Sequence, residues 1–314
     1  MKDKLLSLLG NDFISGEQLA RSLGVSRTAV WKQIASLKKF GYEIESIKNK
    51  GYRLISRPDT PFSEEITIGL STRLVGKEVH YFREISSTNY FAKQLANKGR
   101  QEGAIVVSDL QTKGRGRKDR TWSSPSGGLW FSVILCPDIP PERGMLVTMM
   151  SSVSVIQAIE EITNLKPVIK WPNDLLLNGK KICGILTELD AEMDKINYIV
   201  VGIGLNVNNE LDGELRDTAI SLKQATNHEI SRVKLLRSII KYLDENYNKL
   251  KSGESDIIKK LWLSKANIIG KKIQVQNEEN LITGIVSDVD ESGFLILDSE
   301  KGRVRIITGD ISYI

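Results

Sequence analysis

The sequence predicts an α+β protein of several domains, with a small helical unit ending in a hairpin, a central mixed sheet covered by helices, and a small β-barrel. Three observations predict this architecture. At 314 residues the chain is too long for one ordinary domain. Its middle part alternates apolar strand-like and helical segments, and short strands separated by turn residues follow Gly270. We place the domains at residues 1–60, 65–265 and 268–314.

Composition excludes several classes of protein. Apolar residues make up 40% of the chain and charged residues 26%, as in ordinary globular proteins. The sequence has no apolar run of about 20 residues, so we expect no membrane partner. Its first residues lack the apolar core of a signal peptide, which predicts a cytoplasmic location. Cys136 and Cys183 lie in apolar runs, which favours buried thiols, and the distant His80 and His228 argue against a zinc site.

The net charge of +5 is concentrated in the N-terminal unit. Residues 1–60 carry eleven basic and six acidic side chains, so the rest of the chain is balanced. An excess of positive charge in one small unit predicts a polyanionic partner for that unit.

Helix signals in this unit predict three short helices. Ser15 followed by Gln18 fits a capping box, Gly24 supplies a stop, and Ser26 begins the third helix. Two strand-like segments then flank the turn at residues 48–51, where Asn and Gly favour a hairpin. Three helices and a basic hairpin predict a winged helix-turn-helix, which is a DNA-binding module.

A winged helix contacts DNA through the N-terminal half of its third helix and through its wing. The expected DNA-binding residues are Ser26, Arg27, Thr28, Trp31 and Lys32 on the helix, and Lys48 and Lys50 on the wing. A generic three-helix bundle with solvated lysines is the alternative, and Trp31 could instead belong to the core or contact the DNA backbone. Pro58 and Pro61 then predict a linker.

The central part alternates strands with helices. Strands are predicted at 79–82, 105–107, 129–135, 168–170, 181–189 and 198–205, and helices after a cap at Ser87 and over 145–162. A helical stretch over 231–263 follows. Strands at 272–275, 284–289, 293–297 and 304–307 then predict the small barrel.

A glycine-rich basic loop, residues 114–122, connects two of the predicted strands. Its four cations are Arg115, Arg117, Lys118 and Arg120, and it ends on Trp122. Glycine lets the backbone approach a ligand, successive N–H groups can bind an anion, and arginine matches phosphate and carboxylate geometry. Tryptophan can stack on a flat ring such as adenine. The loop predicts a site for an anionic, nucleotide-like ligand, with a solvated basic loop as the alternative.

Two weaker motifs follow in the central domain. Lys170 ends an apolar strand just before Pro172, and a charge is costly to bury without a partner. Its ammonium therefore either faces an anionic ligand or extends to water from an edge strand. Asp174 offers oxygen ligands to a magnesium ion. Glycines shortly before Asn206 indicate polar recognition at a strand end, or a β-bulge.

These motifs occur together in an order that resembles one enzyme family. They are residues 86–89, Gln111 with 114–122, 170–174, 181–186 and 202–206, after the N-terminal winged helix. The Gly-Arg-Gly-Arg-x-x-Arg-x-Trp pattern with Lys-Trp-Pro-Asn-Asp is highly specific, and the match spans essentially the whole chain. It resembles the bifunctional biotin protein ligases that also repress the biotin operon. The resemblance implies a mixed-sheet α/β catalytic domain of the biotin/lipoate ligase type and an SH3-like C-terminal β-barrel that assists ATP and carrier binding.

The resemblance implies a reaction in two steps. Biotin and Mg-ATP form biotinyl-5′-AMP and pyrophosphate, and a lysine of a biotin carboxyl carrier domain then receives the biotin. Catalytic roles fall to Lys170 and Arg117. Biotin would contact Ser87, Thr88, Asn89, Gln111, Gly114, Arg115, Lys170, Gly184 and Gly204. ATP and the adenylate would contact Arg115, Arg117, Arg120, Trp122, Lys170, Asn173 and Asn206, and Asp174 would hold Mg²⁺.

The resemblance also implies three partners: biotin carboxyl carrier domains, operator DNA, and a second copy of the chain, with the homodimer promoted by biotinyl-5′-AMP. Two other functions stay open. One is a transcription factor that senses a small ligand without turnover, which the complete set of arginines and Lys170 disfavour. The other is a lipoate- or octanoate-transferring enzyme of related fold, which the arginine motif and the winged helix disfavour. For the C-terminal barrel, a purely stabilising role is the alternative.

Overall fold

The structure is a computed structural model and describes residues 2–99, 101–276 and 281–314. The chain forms two compact units, Met1–Gly69 and Leu70–Ile314. The first unit therefore extends beyond the predicted boundary at residue 60. The segments predicted as second and third domains lie within one compact unit.

The first unit contains helices and one hairpin. Its elements are α1 (Lys2–Leu8), α2 (Gly16–Leu23), α3 (Arg27–Lys39), β1 (Glu43–Ile47), β2 (Gly51–Ser56) and α4 (Ser63–Thr67). β1 and β2 pair antiparallel. The first three helices and the hairpin agree with the predicted winged helix-turn-helix, and α4 follows directly on the proline-containing segment predicted as a linker.

Side-chain caps set the ends of α2 and α3. The Ser15 hydroxyl accepts the N–H of Gln18 at 3.1 Å, and the Gln18 side chain accepts the N–H of Ser15 at 3.0 Å, as a capping box requires. Gly24 ends α2 in the left-handed region, at φ 67°, where a residue without Cβ avoids strain. Ser26 caps α3 by accepting the N–H of Ala29 at 3.1 Å. These contacts fix the turn between the two helices.

A buried carboxylate attaches α4 to the rest of the first unit. Glu65 is 2% exposed and accepts hydrogen bonds from the hydroxyl of Tyr42 at 2.9 Å and the guanidinium of Arg57 at 2.7 Å. Arg57 also donates to the carbonyl of Leu6 at 3.2 Å. Burial, together with the charge of Glu65, raises the pKa of Tyr42 far above its usual value. The proline-containing segment thus leads into a packed helix.

A seven-stranded mixed sheet forms the centre of the second unit. Its strands are β3 (Val79–Phe82), β4 (Ile105–Ser108), β5 (Leu129–Leu135), β6 (Val168–Lys170), β7 (Asp174–Leu177), β8 (Lys180–Glu192) and β9 (Lys195–Leu205). They lie in the order β3-β4-β5-β9-β8-β7-β6. β3 and β4 pair in parallel, and the other neighbours pair antiparallel. The prediction omits β7, a strand of four residues that follows almost directly on the proline turn after β6.

Helices cover this sheet. They are α5 (Thr88–Asn97), α6 (Met145–Thr163), α7 (Leu215–Thr218), α8 (Leu222–Thr226), α9 (Arg232–Lys251) and α10 (Ser255–Ala266). Ser87 caps α5 as predicted. Among the described residues, one helical stretch, Pro141–Thr163, is long and apolar enough to cross a membrane, but 72% of its most apolar window is buried inside the protein. α6 is therefore a core helix, packed against α9 and α10.

The C-terminal part of the second unit is a five-stranded antiparallel sheet. Its strands are β10 (Lys272–Gln276), β11 (Leu281–Val289), β12 (Leu295–Ser299), β13 (Gly302–Ile306) and β14 (Asp310–Tyr313), in the order β13-β12-β11-β10-β14. The prediction includes four of these strands and omits β14. The small sheet packs against the central part, since a Cβ on Gly293 would lie 2.6 Å from the sulfur of Met149 in α6.

Candidate active site and nucleic-acid interface

A cavity of about 280 Å³ opens on the central sheet where β8 and β9 carry glycine. Gly184 lies opposite Gly204 across the two strands, and Gly202 precedes Gly204 by two residues in β9. The cavity is also lined by the start of α5, the basic loop 114–122, the turn before β7, the segment 206–219 and Asp310 of β14. Both parts of the second unit thus contribute to one site.

The basic loop closes on itself. The N–H of Gly116 donates to the carbonyl of Arg120 at 2.7 Å, and the N–H of Trp122 donates to the carbonyl of Gly114 at 3.0 Å. The two residues at its tip, 118–119, adopt left-handed φ angles of 52° and 56°. This tight turn lets the arginines before and after the tip line the same cavity.

Two arginines of the loop reach across to other elements. Arg117 donates to Oδ1 of Asn173 at 3.1 Å and to the hydroxyl of Thr308 at 3.2 Å. Arg120 donates to Oδ2 of Asp310 at 2.7 Å. Burial lowers the pKa of the Arg117 guanidinium, and the charge of Asp310 opposes that shift. A half-buried guanidinium held mainly by neutral groups keeps the capacity to bind an anion.

The indole of Trp122 packs against the glycines of the sheet. A Cβ on Gly204 would lie 2.4 Å from Nε1 of its indole, and a Cβ on Gly184 would lie 2.8 Å from its ring. Its Nε1–H is buried and makes no hydrogen bond to the described residues. The ammonium of Lys181 lies 5.2 Å from the ring centroid, within cation–π range. The glycines therefore create the space that this ring occupies.

The ammonium that lines the cavity belongs to Lys181, not Lys170. Nζ of Lys181 lies 2.7 Å from Oδ1 of Asp174. Lys170 ends β6, the edge strand of the sheet, and although it is the cross-strand neighbour of Asp174, the structure does not bring it into the described lining. Lys181 reaches the site from β8, the strand that carries Gly184 three residues later.

Neutral polar side chains form another part of the lining. Oε1 of Gln111 accepts the backbone N–H of Thr88 at 2.8 Å and its hydroxyl at 3.1 Å, while Nε2 donates to the hydroxyl of Ser124 at 2.9 Å. The buried hydroxyl of Ser132 lies 2.7 Å from Oγ1 of Thr88 and 2.6 Å from Oδ1 of Asn89. This polar end, defined here as Thr88, Asn89 and Gln111 of the lining with the buried Ser132 behind them, suits an uncharged ligand group with donors and acceptors.

Most residues predicted for the ligand site come together in this cavity. The lining contains Ser87, Thr88, Asn89, Gln111, Arg115, Arg117, Arg120, Trp122, Asn173, Asp174, Gly184, Gly204 and Asn206. Lys170 and Gly114 are not among the lining residues. Gly114 supports the loop from behind, because a Cβ there would lie 2.3 Å from the carbonyl of Trp122. Several lining residues were not predicted from the sequence, among them Lys181, Asp310, Leu211 and Leu215, and of these four only Lys181 lies in a predicted motif.

Asp174 is the carboxylate in the cavity with the best fit to a metal ion. Its Oδ1 is buried and, apart from the close ammonium of Lys181, has no partner in hydrogen-bonding geometry. Among the described residues, no group of three His, Cys, Asp or Glu side chains could hold a metal ion. An ion at Asp174 would therefore need oxygen ligands from a bound molecule, as is usual for magnesium with phosphates.

The first unit presents the predicted DNA-binding residues to solvent. Arg27, Thr28 and Trp31 of α3 line a groove together with Lys48 of the hairpin turn. Trp31 is 60% exposed, so the alternative that it belongs to the core is wrong. Three further predicted residues are also exposed: Ser26, Lys32 and Lys50. An exposed basic helix face beside a basic wing fits the shape and charge of duplex DNA.

Known protein families match all three parts of the chain. The Biotin/lipoate A/B protein ligase family matches residues 81–206, an HTH domain matches residues 2–53, and the Biotin protein ligase C terminal domain matches residues 268–313. The structure of biotin protein ligase from Aquifex aeolicus in complex with biotin and ATP aligns with a TM-score of 0.65 and 32% identity, covering 76% of this chain and 99% of that one.

Relatives match the chain over almost its full length. The bifunctional ligase/repressor BirA of Bacillus subtilis is 42% identical over 312 residues, covering 98% of this chain and 96% of that protein. BirA of Escherichia coli is 28% identical over 320 residues, with the same coverage of both chains. These matches confirm the family resemblance and the multidomain α+β fold predicted from the sequence. The chain belongs to the BirA family of bifunctional ligase/repressors, whose enzymatic part is a biotin protein ligase.

Proposed function

We propose that this chain joins biotin and ATP into biotinyl-5′-AMP with release of pyrophosphate, and then transfers the biotin to a lysine of a biotin carboxyl carrier domain. One observation carries the proposal. A single cavity is lined by three arginines, a lysine and a tryptophan, and also by a polar end of neutral side chains. This combination suits a triphosphate, a carboxylate, an adenine and an uncharged polar ring in one site. The Aquifex aeolicus relative was solved in complex with both biotin and ATP, which supports the same pair of ligands here.

The first step brings two anions together. A biotin carboxylate oxygen attacks the α-phosphorus of ATP, the new acyl–phosphate bond forms, and pyrophosphate leaves. Cations held in advance around the reacting oxygens lower the barrier, because they offset repulsion and need no rearrangement during the reaction. Arg115, Arg117 and Arg120 supply three of these charges. We assign the fourth to Lys181, since its ammonium lines the cavity, rather than to Lys170.

We assign biotin to the polar end of the cavity and the nucleotide to its other end. We propose that Thr88, Asn89 and Gln111 bind the ureido ring and tail of biotin through their side-chain donors and acceptors. Trp122 covers the adenine, and Asn206, with Asn173 near Arg117, lies toward the nucleotide. Arg117 then retains the adenylate, because its guanidinium is anchored on Asn173 and Thr308.

Magnesium fits the site only together with a nucleotide. Asp174 supplies one carboxylate with a buried oxygen, and ATP would supply the remaining oxygen ligands. When bound, the ion neutralises phosphate charge. Because Lys181 contacts the same carboxylate, an ion bound there would share Asp174 with this ammonium.

The second step requires no covalent intermediate between biotin and the enzyme. The neutral amine of the carrier lysine attacks the carbonyl carbon of the mixed anhydride, AMP leaves, and the nitrogen loses one proton to solvent as the amide forms. Until the carrier arrives, the closed basic loop shields the anhydride from water. Thr308 and Asp310 contact this loop, which supports a role of the C-terminal sheet in ATP binding.

Pyrophosphate release with biotin, ATP and magnesium, followed by mass analysis of an added carrier domain, tests the enzymatic proposal. A biotin-dependent signal and one biotin on the carrier lysine are expected. Turnover with lipoate but not with biotin would instead identify a lipoate-transferring enzyme. Tight biotin binding without turnover would identify a sensor that only regulates transcription.

We further propose that the chain is a cytoplasmic repressor that binds operator DNA as a homodimer stabilised by biotinyl-5′-AMP. The exposed face of α3 and the basic wing support DNA binding by the first unit. Two weak modules joined in one dimer bind two half-sites with a large gain in affinity. Sedimentation and DNA binding, each with and without the adenylate, test the proposal. A monomer that binds DNA equally well in both conditions would contradict it.

A further inference from the structure

Glu188 of β8 lies beside the polar end of the cavity without lining it. Its side chain is 16% exposed. One carboxylate oxygen accepts a hydrogen bond from the ammonium of Lys93 at 2.6 Å, and the other accepts one from Nδ2 of Asn89 at 2.8 Å. NH1 of Arg115 lies 3.6 Å away. One anion thus contacts helix α5 twice and also attracts the basic loop.

These contacts fix the orientation of the Asn89 amide. Its Nδ2 donates to Glu188 and to the carbonyl of Leu186 at 3.3 Å, so its Oδ1 faces the hydroxyl of Ser132. An ionised carboxylate can only accept hydrogen bonds, so a flipped amide would set oxygen against oxygen. The fit is tight on the other side too, because a Cβ on Gly202 would lie 2.1 Å from Oδ1 of Asn89.

The fixed amide sets the direction of the neighbouring hydrogen bonds. The hydroxyl of Thr88 donates to Gln111, so its oxygen is left to accept the hydroxyl of Ser132. Ser132 therefore directs its single hydrogen toward Thr88 and Asn89. Donors and acceptors at the polar end are thereby assigned, starting from a carboxylate that does not line the cavity.

The carboxylate of Glu188 is ionised at neutral pH. Burial alone would favour its neutral form, but hydrogen bonds from Lys93 and Asn89 and the charges of Lys93 and Arg115 outweigh burial. The pKa of Glu188 therefore lies below its usual value. Because the group is an obligate acceptor, it can hold both an amide and a guanidinium in place.

We infer that Glu188 is a positioning residue for recognition of the biotin ring, acting through Asn89 without contact to the ligand. The inference rests on the proposed function, in which Asn89 binds biotin. A ureido group presents two N–H donors and one carbonyl acceptor. Side chains whose acceptors and donors are fixed in the matching arrangement therefore favour this group over a ring with a different arrangement. A glutamine in place of Glu188 can donate as well as accept, and it removes the charge that attracts Arg115.

Steady-state pyrophosphate release by the full chain with Glu188→Gln, in the presence of excess carrier domain, tests this role. We expect the KM for biotin to rise about tenfold, as one lost charge-assisted contact would cause, while kcat and the KM for ATP stay within about twofold. The second probe is 2-iminobiotin, whose ring has a donor in place of the carbonyl. The ratio of the KM for 2-iminobiotin to the KM for biotin should fall severalfold in Glu188→Gln. A general loss of folded structure would weaken both ligands alike and leave this ratio unchanged.

Lys93→Met is the matched control, because it removes the same ion pair and leaves the carboxylate. It should keep the KM for biotin within about twofold of the parent. Glu188→Asp retains the charge and should give an intermediate KM, which keeps the test valid if Glu188→Gln is unstable. Equal increases in the KM values for biotin and ATP, or equal effects of Lys93→Met and Glu188→Gln, would overturn the inference. If the parent shows no turnover, the proposed function fails by itself, and calorimetric binding of biotin to the same variants decides the role of Glu188.

Discussion

The ammonium of Lys181 lies 2.7 Å from Oδ1 of Asp174, and the pair lines the cavity that the basic loop covers. Lys170 is the cross-strand neighbour of the same aspartate but is not among the lining residues. The two lysines therefore form a natural comparison, since each lies close to Asp174 in the sheet and only one ammonium lines the site.

Lys181→Ala should slow adenylate formation by about two orders of magnitude or more. The ammonium offsets charge that builds up when the carboxylate attacks phosphorus, and loss of one such preorganised group typically costs 10²–10³ in rate. Single-turnover pyrophosphate release measures the effect. Lys170→Ala serves as the comparison and should have a clearly smaller effect. A larger loss in Lys170→Ala than in Lys181→Ala would restore the role that the sequence motif predicts for Lys170.

The sequence predicts the features of this site whose signals lie within a few neighbouring residues. It does not predict the residues that reach the site through the pairing of strands far apart in the chain. Cap residues such as Ser15 and Ser87 and the loop 114–122 are recognised because their signals lie within a few neighbouring residues. We assign the lysine of the site to β8 because Lys181 lines the cavity, and its place there depends on the pairing of β8 with β9, which no local motif reveals. Glu188 and Asp310 were missed for the same reason, since their partners lie far away in the chain.

Gly204→Ala should weaken ATP binding more than biotin binding. A Cβ at this position would lie 2.4 Å from Nε1 of Trp122, so the indole must leave its place over the sheet, where we expect it to cover adenine. Overpacking of this kind costs about 1–3 kcal/mol, which corresponds to roughly a five- to hundredfold rise in the KM for ATP.

Gly10→Ala is the control for this substitution, because a Cβ there would meet no atom within 4 Å. Initial rates at varied ATP and varied biotin distinguish the two ligands, and tryptophan fluorescence reports whether the ring has moved. A shift in the KM for biotin alone would mean that Trp122 covers biotin instead of adenine.

Asp310→Asn should loosen the basic loop with little change in global stability. The ion pair between Arg120 and Asp310 is 2.7 Å long, but the two side chains are 67% and 42% exposed, so its contribution is below about 1 kcal/mol. At neutral pH, amide hydrogen exchange in residues 114–122 should accelerate by up to about fivefold, since that factor corresponds to about 1 kcal/mol. Unchanged exchange would mean that Asp310 does not hold the loop.

The same contact should weaken in acid. Burial alone would raise the pKa of Asp310, but the hydrogen bond and charge of Arg120 lower it below the ordinary 3.8. A carboxyl group whose pKa is lower in the folded state contributes stability above its unfolded pKa and loses that contribution as the pH falls through its folded pKa. The difference in loop exchange between the parent and Asp310→Asn, corrected for intrinsic rates, should therefore stay constant down to the ordinary pKa and disappear below it.

A fragment of residues 1–69 should fold as an independent DNA-binding unit, whereas residues 1–60 should be much less stable. The shorter fragment lacks Glu65, whose buried carboxylate pairs with Arg57 and Tyr42. Without Glu65 the buried hydroxyl of Tyr42 loses its partner, which costs about 1–3 kcal/mol, a large share of the stability of so small a domain. Thermal unfolding followed by circular dichroism compares the two fragments.

Glu17→Gln in the longer fragment is the matched control, because it removes an exposed ion pair. The side chains of Glu17 and Arg21 are 60% and 80% exposed, so the substitution should change the free energy of unfolding by less than about 1 kcal/mol. If residues 1–60 unfold at the same temperature as residues 1–69, α4 contributes nothing to the unit. If both fragments fold and only the longer one binds DNA, α4 acts in recognition. The expected result, loss of folding and DNA binding together in the shorter fragment, would place the true end of the DNA-binding unit after α4.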